Sequence, residues 1–136
     1  MNKKIKIFTD GGARGNPGPA GIGVAIFDDA DQLIETHKKY IGTATNNQAE
    51  YQALILGLEK AKALKAEEIE CCLDSELVVK QMRREYKVKN QDLASLFVKA
   101  WNLLPNFSKT KFTHVRREKN TIADGLVNEA IDEKLS

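Results

Sequence analysis

The sequence predicts an α/β fold, a mixed sheet with helices on its faces, and three observations carry the prediction. Residues 3–41 hold three strand-like stretches separated by a Gly- and Pro-rich segment and an Asp-rich turn, which implies an antiparallel meander. From residue 45 onward helical periodicity alternates with short apolar strands, and strands joined through helices pair in parallel. The 136 residues are 42% hydrophobic and 29% charged, the balance of one soluble globular domain spanning 1–136 that can bury an ordinary core.

Each element follows from local pattern. Residues 3–10 alternate, with Ile5 and Ile7 on one face and Lys4 and Lys6 on the other, and Asp10 near the end of the second face. Gly11 to Gly21 is rich in Gly and Pro and reads as a loop. Residues 22–28 and 33–41 form the next two strands, joined by the turn at 28–32. A helix starts at Thr45-Asn46-Asn47-Gln48, with Thr or Asn as N-cap and Glu50 in its first turn. It runs to about Lys65 with Leu54, Gly57, Ala61 and Leu64 along one stripe. Residues 68–73 are a strand, and Ser75 caps a helix to about Arg84 with Leu77, Val78 and Met82 inward. After a polar connection, residues 91–104 form an amphipathic helix with Leu93, Leu96, Phe97, Ala100, Trp101 and Leu104 on one face. A strand over 109–116 and a helix over 120–135, with Ala123, Val127, Ile131 and Leu135 inward, close the chain.

Several classes are excluded. No apolar run approaches the ~20 residues of a membrane helix, and the basic N-terminus lacks the apolar stretch of a signal peptide. Cys71 and Cys72 are strand neighbours that point to opposite faces, so they do not bridge, and free thiols suit a reducing cytoplasm. No Cys/His spacing fits zinc. The net charge of +2 hides an asymmetry: residues 80–119 hold eleven Lys/Arg against three acids, a balance of +8 that leaves −6 for the rest. A basic segment beside an acidic one fits a phosphate-backbone footprint next to a cation site, although charge alone fits solvated surface equally well.

Four acids stand where composition does not explain them. Asp10 and Asp74 end the first and fourth strands, the edge where open α/β sheets place ligand sites. Glu50 heads the stripe 50-54-57-61-64, and Asp124 the stripe 124-127-131-135, so both face the core. Taken singly, each has an ordinary role. Asp10 and Asp74 can cap turns, Glu50 can offset a helix dipole, and Asp124 can pair with Arg116 or Arg117. Together they lack matching basic partners, and crowded carboxylates repel unless a cation joins them. An all-oxygen set without Cys favours Mg²⁺ or Mn²⁺.

The motifs then carry a resemblance. Phe8-Thr9-Asp10-Gly11-Gly12-Ala13-Arg14-Gly15-Asn16-Pro17-Gly18-Pro19-Ala20-Gly21 resembles the opening motif of type 1 ribonuclease H. Thr45-Asn46-Asn47-Gln48-Ala49-Glu50 is similar to its second motif, Asp74-Ser75 to its third, and His114 through Asp124 to its fourth, all in order along essentially the whole chain. The resemblance implies a ribonuclease H-like, five-stranded sheet in the order 3-2-1-4-5 with helices on both faces. It implies two Mg²⁺ ions, with Mn²⁺ as a possible substitute, held by Asp10, Glu50, Asp74 and Asp124. The implied activity is two-metal-ion hydrolysis of the RNA strand of RNA–DNA hybrids, leaving 5′-phosphate and 3′-hydroxyl ends, by a cytoplasmic monomer. His114 would assist proton transfer or product release, a task Arg116 or Arg117 could instead serve electrostatically; a plain strand histidine is the other reading. Gly11 and Gly12 would let backbone approach the sugars, and Asn16, Thr45 and Asn47 would line the minor groove or a DNA-phosphate pocket, with Asn46 instead only the helix cap.

Three positions depart from the family pattern. Leu73 stands where many relatives carry Thr or Ser, and Glu76 replaces an amide. The short Met82–Asp92 segment leaves no room for the basic, Trp-containing protrusion of larger relatives, and the compact form without an N-terminal hybrid-binding domain is expected. Arg83, Arg84, Lys87 and Lys89 are its expected partial substitutes, which predicts weak, salt-sensitive binding. Trp101 is expected in the core and Tyr86 as a stacking candidate. A resolvase or transposase core on the same fold, or a binding module without catalysis, are the competing readings.

Overall fold

The computed structural model describes residues 3–136, so Met1 and Asn2 of the basic N-terminus lie outside the described residues. Strands β1 (Lys4–Ala13), β2 (Gly18–Asp28) and β3 (Leu33–Ala44) form the meander. Helix α1 (Asn46–Ala63), strand β4 (Glu68–Leu73), helices α2 (Glu76–Met82) and α3 (Gln91–Trp101), strand β5 (Lys109–His114) and helix α4 (Thr121–Leu135) follow. The sheet order is β3-β2-β1-β4-β5, with β1 and β4 parallel neighbours and β1 antiparallel to β2, as expected.

Strand alternation decides what each face meets. Ile5, Ile7, Val24 and Ile26 point to one side, where α1, α2 and α3 complete the main core. Gly57 brings α1 down onto the sheet: a Cβ there would lie 3.0 Å from Ile7 Cγ2 and Thr9 Cγ2. On the opposite face α4 lies against β2, where a Cβ at Gly23 would overlap the Ala123 carbonyl. Asp10 pairs with Gly23 in register and so shares the face of α4.

The glycine-rich stretch is mostly strand rather than loop. β1 continues through Gly12 to Ala13 and β2 begins at Gly18, leaving only residues 14–17 as the turn. Gly acts there as a small residue: a Cβ on Gly11 would collide with the Ala49 carbonyl at the start of α1. Helix α1 is capped by Thr45, whose hydroxyl accepts from the Gln48 N–H while the Gln48 side chain accepts from the Thr45 N–H. Asn46 is therefore the first helical residue, and Glu50 belongs to the second turn. β3 extends to Ala44 and β5 stops at His114.

Two side chains expected inside lie outside. Leu135, at the last turn of α4, is 55% exposed. Trp101 is 39% exposed, because the buried stripe of α3 is only Leu93, Phe97 and Ala100 wide and Trp101 ends the helix at its rim. Its ring stacks on Phe97 at 5.6 Å with the Arg84 guanidinium 5.5 Å away.

Candidate active site

The site forms where β1 outruns its parallel neighbour. The β1–β4 ladder ends at Thr9 opposite Leu73, so the amide of Gly11 has no strand to bond on that side. Glu50 fills the place, its Oε1 accepting from the Gly11 N–H at 2.6 Å. That bond fixes α1 to the tip of β1 and sets Glu50 beside Asp10. Asp74, one residue beyond β4, reaches the same place from the parallel strand, and the three carboxylates place ligand oxygens within 4.8 Å of one another. Asp124, half-buried near the start of α4, lines the same cleft of about 440 Å³, and its charge acts on Asp10.

Burial and charge here work against ionisation. Asp10 is 8% and Glu50 7% exposed. Among the described residues no ion pair engages any of the four acids. Loss of water, then the charges of Asp74 and Asp124, push the Asp10 carboxyl up to about 7 despite the opposing hydrogen bond from Glu50. Burial and the Asp10 charge likewise raise Glu50 well above the carboxylate range. Oxygens this close, all anionic or poised to be, match the spacing of about 2.9–4.2 Å in an octahedral cation shell after small side-chain rotations. The donor set thus fits a hard divalent cation.

The other predicted residues fall into two groups. Gly11, Gly12, Asn47 and Arg117 line the cleft with the acids, as does Arg14, which sequence reasoning passed over. Arg14 is anchored by Asp132 at 2.7 Å on α4. Asn16 and Thr45 organise the rim instead: Asn16 Oδ1 accepts from the Asn46 N–H at 3.0 Å, and Asn46 Oδ1 from the Ala13 N–H at 2.9 Å. Asn46 is thus a clasp between the β1–β2 turn and α1, not the helix cap. His114 is exposed at the end of β5, with Nε2 3.3 Å from the Asp74 carbonyl. Arg116 is exposed and is not among the cleft residues.

The basic segment is partly spent on the fold. Arg83 donates from Nε and Nη2 to the Phe112 carbonyl at 2.9 and 2.6 Å, and Arg84 covers Phe97 and Trp101. Lys87 and Lys89 are exposed, and Tyr86 is 46% exposed.

Asn120 was quoted in the sequence motif but given no role. It is 1% exposed, and its Nδ2 donates to the Thr9 carbonyl at 2.9 Å and to Asp74 Oδ2 at 3.3 Å. The one signal in the sequence is its position four residues before Asp124, at the N-cap of the same helix.

Comparison with known proteins agrees with this geometry. Residues 8–130 match the family model described as reverse transcriptase-like. The bifunctional protein Rv2228c of Mycobacterium tuberculosis is 46% identical over 130 residues, covering 95% of this chain; the chain spans only 36% of that protein's length. The solved ribonuclease H1 of Halobacterium salinarum superposes with a TM-score of 0.93 at 41% identity, covering 96% of this chain and 98% of that one. LC11-RNase H1, solved in complex with an RNA/DNA hybrid, gives a TM-score of 0.93 at 48% identity, covering 97% and 99%. Because these matches run through all four acid-bearing segments and nearly the full length of both solved structures, the chain belongs to the type 1 ribonuclease H family.

Proposed function

We propose that this chain is a metal-dependent endoribonuclease that hydrolyses the RNA strand of RNA–DNA hybrids, leaving 5′-phosphate and 3′-hydroxyl ends. The observation that carries the proposal is the convergence of Asp10, Glu50 and Asp74, with Asp124 beside them, in an open cleft where none has a basic partner. The hybrid bound to LC11-RNase H1 supports the substrate class.

Asp10, Glu50, Asp74 and Asp124 would hold two Mg²⁺ ions, or Mn²⁺ in their place, as all-oxygen ligands. When bound, such ions polarise the scissile phosphate, activate the attacking water and offset charge on the departing 3′-oxygen. The chain's own groups do the rest. The Gly11 N–H holds Glu50 in one orientation, so the site is organised before substrate arrives. Gly12 and Asn47 border the cleft, where backbone and amide can meet the minor-groove sugars, whose 2′-hydroxyls distinguish RNA from DNA. Arg117 sets a fixed positive charge opposite the acids for the phosphate. His114, with Nε2 near the Asp74 carbonyl, would supply a proton to the departing 3′-oxygen. The protein acts as a monomer in a reducing compartment, consistent with the free, buried Cys71 and Cys72. No helix among the described residues is long and apolar enough to cross a membrane.

The test is cleavage of end-labelled hybrid, double-stranded RNA, double-stranded DNA and a four-way junction, with Mg²⁺ and with chelator. Mg²⁺-dependent cutting confined to the RNA strand of the hybrid is expected. Preference for the junction would move the chain to the recombinase-like members of the fold, and absence of any turnover would leave a binding module.

A further inference from the structure

We infer that Asn120 is a positioning residue that locks Asp74 and the helix of Asp124 onto the end of β1, and so sets the geometry in which the acids receive a divalent cation. The inference rests on the metal-dependent reading above but concerns a residue that holds no cation itself.

Asparagine at this place would ordinarily cap a helix. Asn120 precedes the first residue of α4, and Asn is among the best N-caps, yet its side chain makes no capping bond. Its amide turns away from the helix. Nδ2 bonds the Thr9 carbonyl, next to Asp10, and Asp74 Oδ2, one residue past β4. Both partners are acceptors, so the nitrogen must face them. The backbone carbonyl of Asn120 meanwhile accepts from the Asp124 N–H at 3.0 Å. One residue therefore contacts the strand of Asp10, the carboxylate of Asp74 and the turn that carries Asp124.

The arrangement has a cost that a merely structural residue would avoid. Asn120 Oδ1 is buried without a partner, which costs stability. A small apolar residue would leave no such orphan. What the amide adds is a neutral donor to Asp74 in a cluster of anions, where a Lys or Arg would compete with the cation for the carboxylates. The amide bonds Oδ2, and a carboxylate has lone pairs and a second oxygen to spare for a cation.

Two substitutions separate this role from general stability. Asn120→Asp keeps the size but replaces the donor with an acceptor facing Asp74 and the Thr9 carbonyl; Asn120→Ala removes the amide. Phe107→Ala, buried at the far end of the sheet, serves as a control for lost packing. Calorimetric titration with Mn²⁺ alone should show affinity falling about 10–100-fold in both Asn120 variants, the range for residues that orient metal ligands, and staying within about twofold in Phe107→Ala. In cleavage assays kcat should fall while KM for the hybrid stays within about threefold, because the contact is to a ligand and not to substrate. If the variants do not fold, the wild-type protein answers the question by NMR: the Asn120 side-chain amide should exchange slowly with solvent and shift on addition of Mg²⁺. Mn²⁺ affinity in Asn120→Ala matching that of the control, or an Asn120 amide that exchanges freely and ignores Mg²⁺, overturns the inference. Because the titration needs no turnover, it stands or falls separately from the substrate assignment.

Discussion

Asp10→Asn should abolish hybrid cleavage and at the same time stabilise the metal-free protein at alkaline pH. The magnitude follows from the environment of the carboxyl. Burial first, then the neighbouring acids, raise Asp10 from 3.8 to about 7. At about 1.4 kcal/mol per tenfold change in proton affinity, ionising it inside the fold costs up to roughly 4 kcal/mol. The asparagine amide is uncharged but must also be desolvated, so about half the cost, ~2 kcal/mol, should be recovered. For a chain of this length that is a rise in Tm of about 6–8 °C. The sign depends on pH. The folded state keeps the Asp10 proton where the unfolded chain has lost it, so wild-type stability falls as pH rises from about 4 through about 7. At pH 5 wild-type Asp10 is protonated in the fold, and the advantage of the variant should shrink toward zero. Thermal unfolding followed by circular dichroism at pH 5 and pH 8, in chelator, measures both limits. Adding Mg²⁺ at pH 8 should reverse the ranking, since a cation at about 100 times its Kd stabilises the wild type by roughly 2.7 kcal/mol. A variant less stable than wild type at pH 8 in chelator, or a difference independent of pH, would refute the claim that crowded, unpaired carboxylates strain the site.

Three further outcomes are expected. Gly23→Ala sets a methyl against the Ala123 carbonyl and lifts the start of α4, so it should lose about 1–3 kcal/mol in denaturant titration and more than tenfold in kcat, whereas Gly42→Ala, which meets no neighbouring atom but strains a positive φ of 82°, should lose about 1–2 kcal/mol and leave kcat intact. His114→Ala should lower kcat about 10–100-fold, while Arg116→Ala changes kcat by less than about threefold; equal losses would favour an electrostatic role for the arginine. With Arg83 and Arg84 engaged internally, binding to a catalytically inactive variant should rest on about four phosphate contacts, so raising salt fourfold should weaken it on the order of 100-fold by fluorescence anisotropy. A Kd that ignores salt would exclude a phosphate-backbone footprint.

The sheet and three of the acids were legible because their signals are local and periodic. Alternation in 3–10 and 68–73 identifies β1 and β4, and their parallel pairing brings Asp10 and Asp74 to one edge. The steps 50-54-57-61 set Glu50 on the buried face of α1, and Gly57 and Ala61 are indeed beneath it. What escaped the sequence depends on neighbours that periodicity does not name. Gly11, Gly12 and Gly21 look like loop because glycine disfavours strands in isolation; packing against α1 and α4 outweighs that preference. Trp101 and Leu135 continue their stripes perfectly well, but each is the last residue of its helix, at the edge of the buried stripe. Asn120 reads as a cap because its alternative partners, the Thr9 carbonyl and Asp74, are 111 and 46 residues away.

These departures share a cause. At the end of β1 the chain breaks local rules at once: glycines in a strand, two acids buried without basic partners, an asparagine that declines to cap its helix and leaves an oxygen unpaired. Each costs stability, and a fold optimised only for stability would remove them. They become mutually consistent when a divalent cation is added. The glycines let α1 and α4 approach closely enough to deliver Glu50 and Asp124, the acids become ligands, and Asn120 holds Asp74 without adding a competing positive charge. The concentration of local violations at one sheet edge, rather than any single residue, is therefore the strongest physical argument that this edge is where the chemistry occurs.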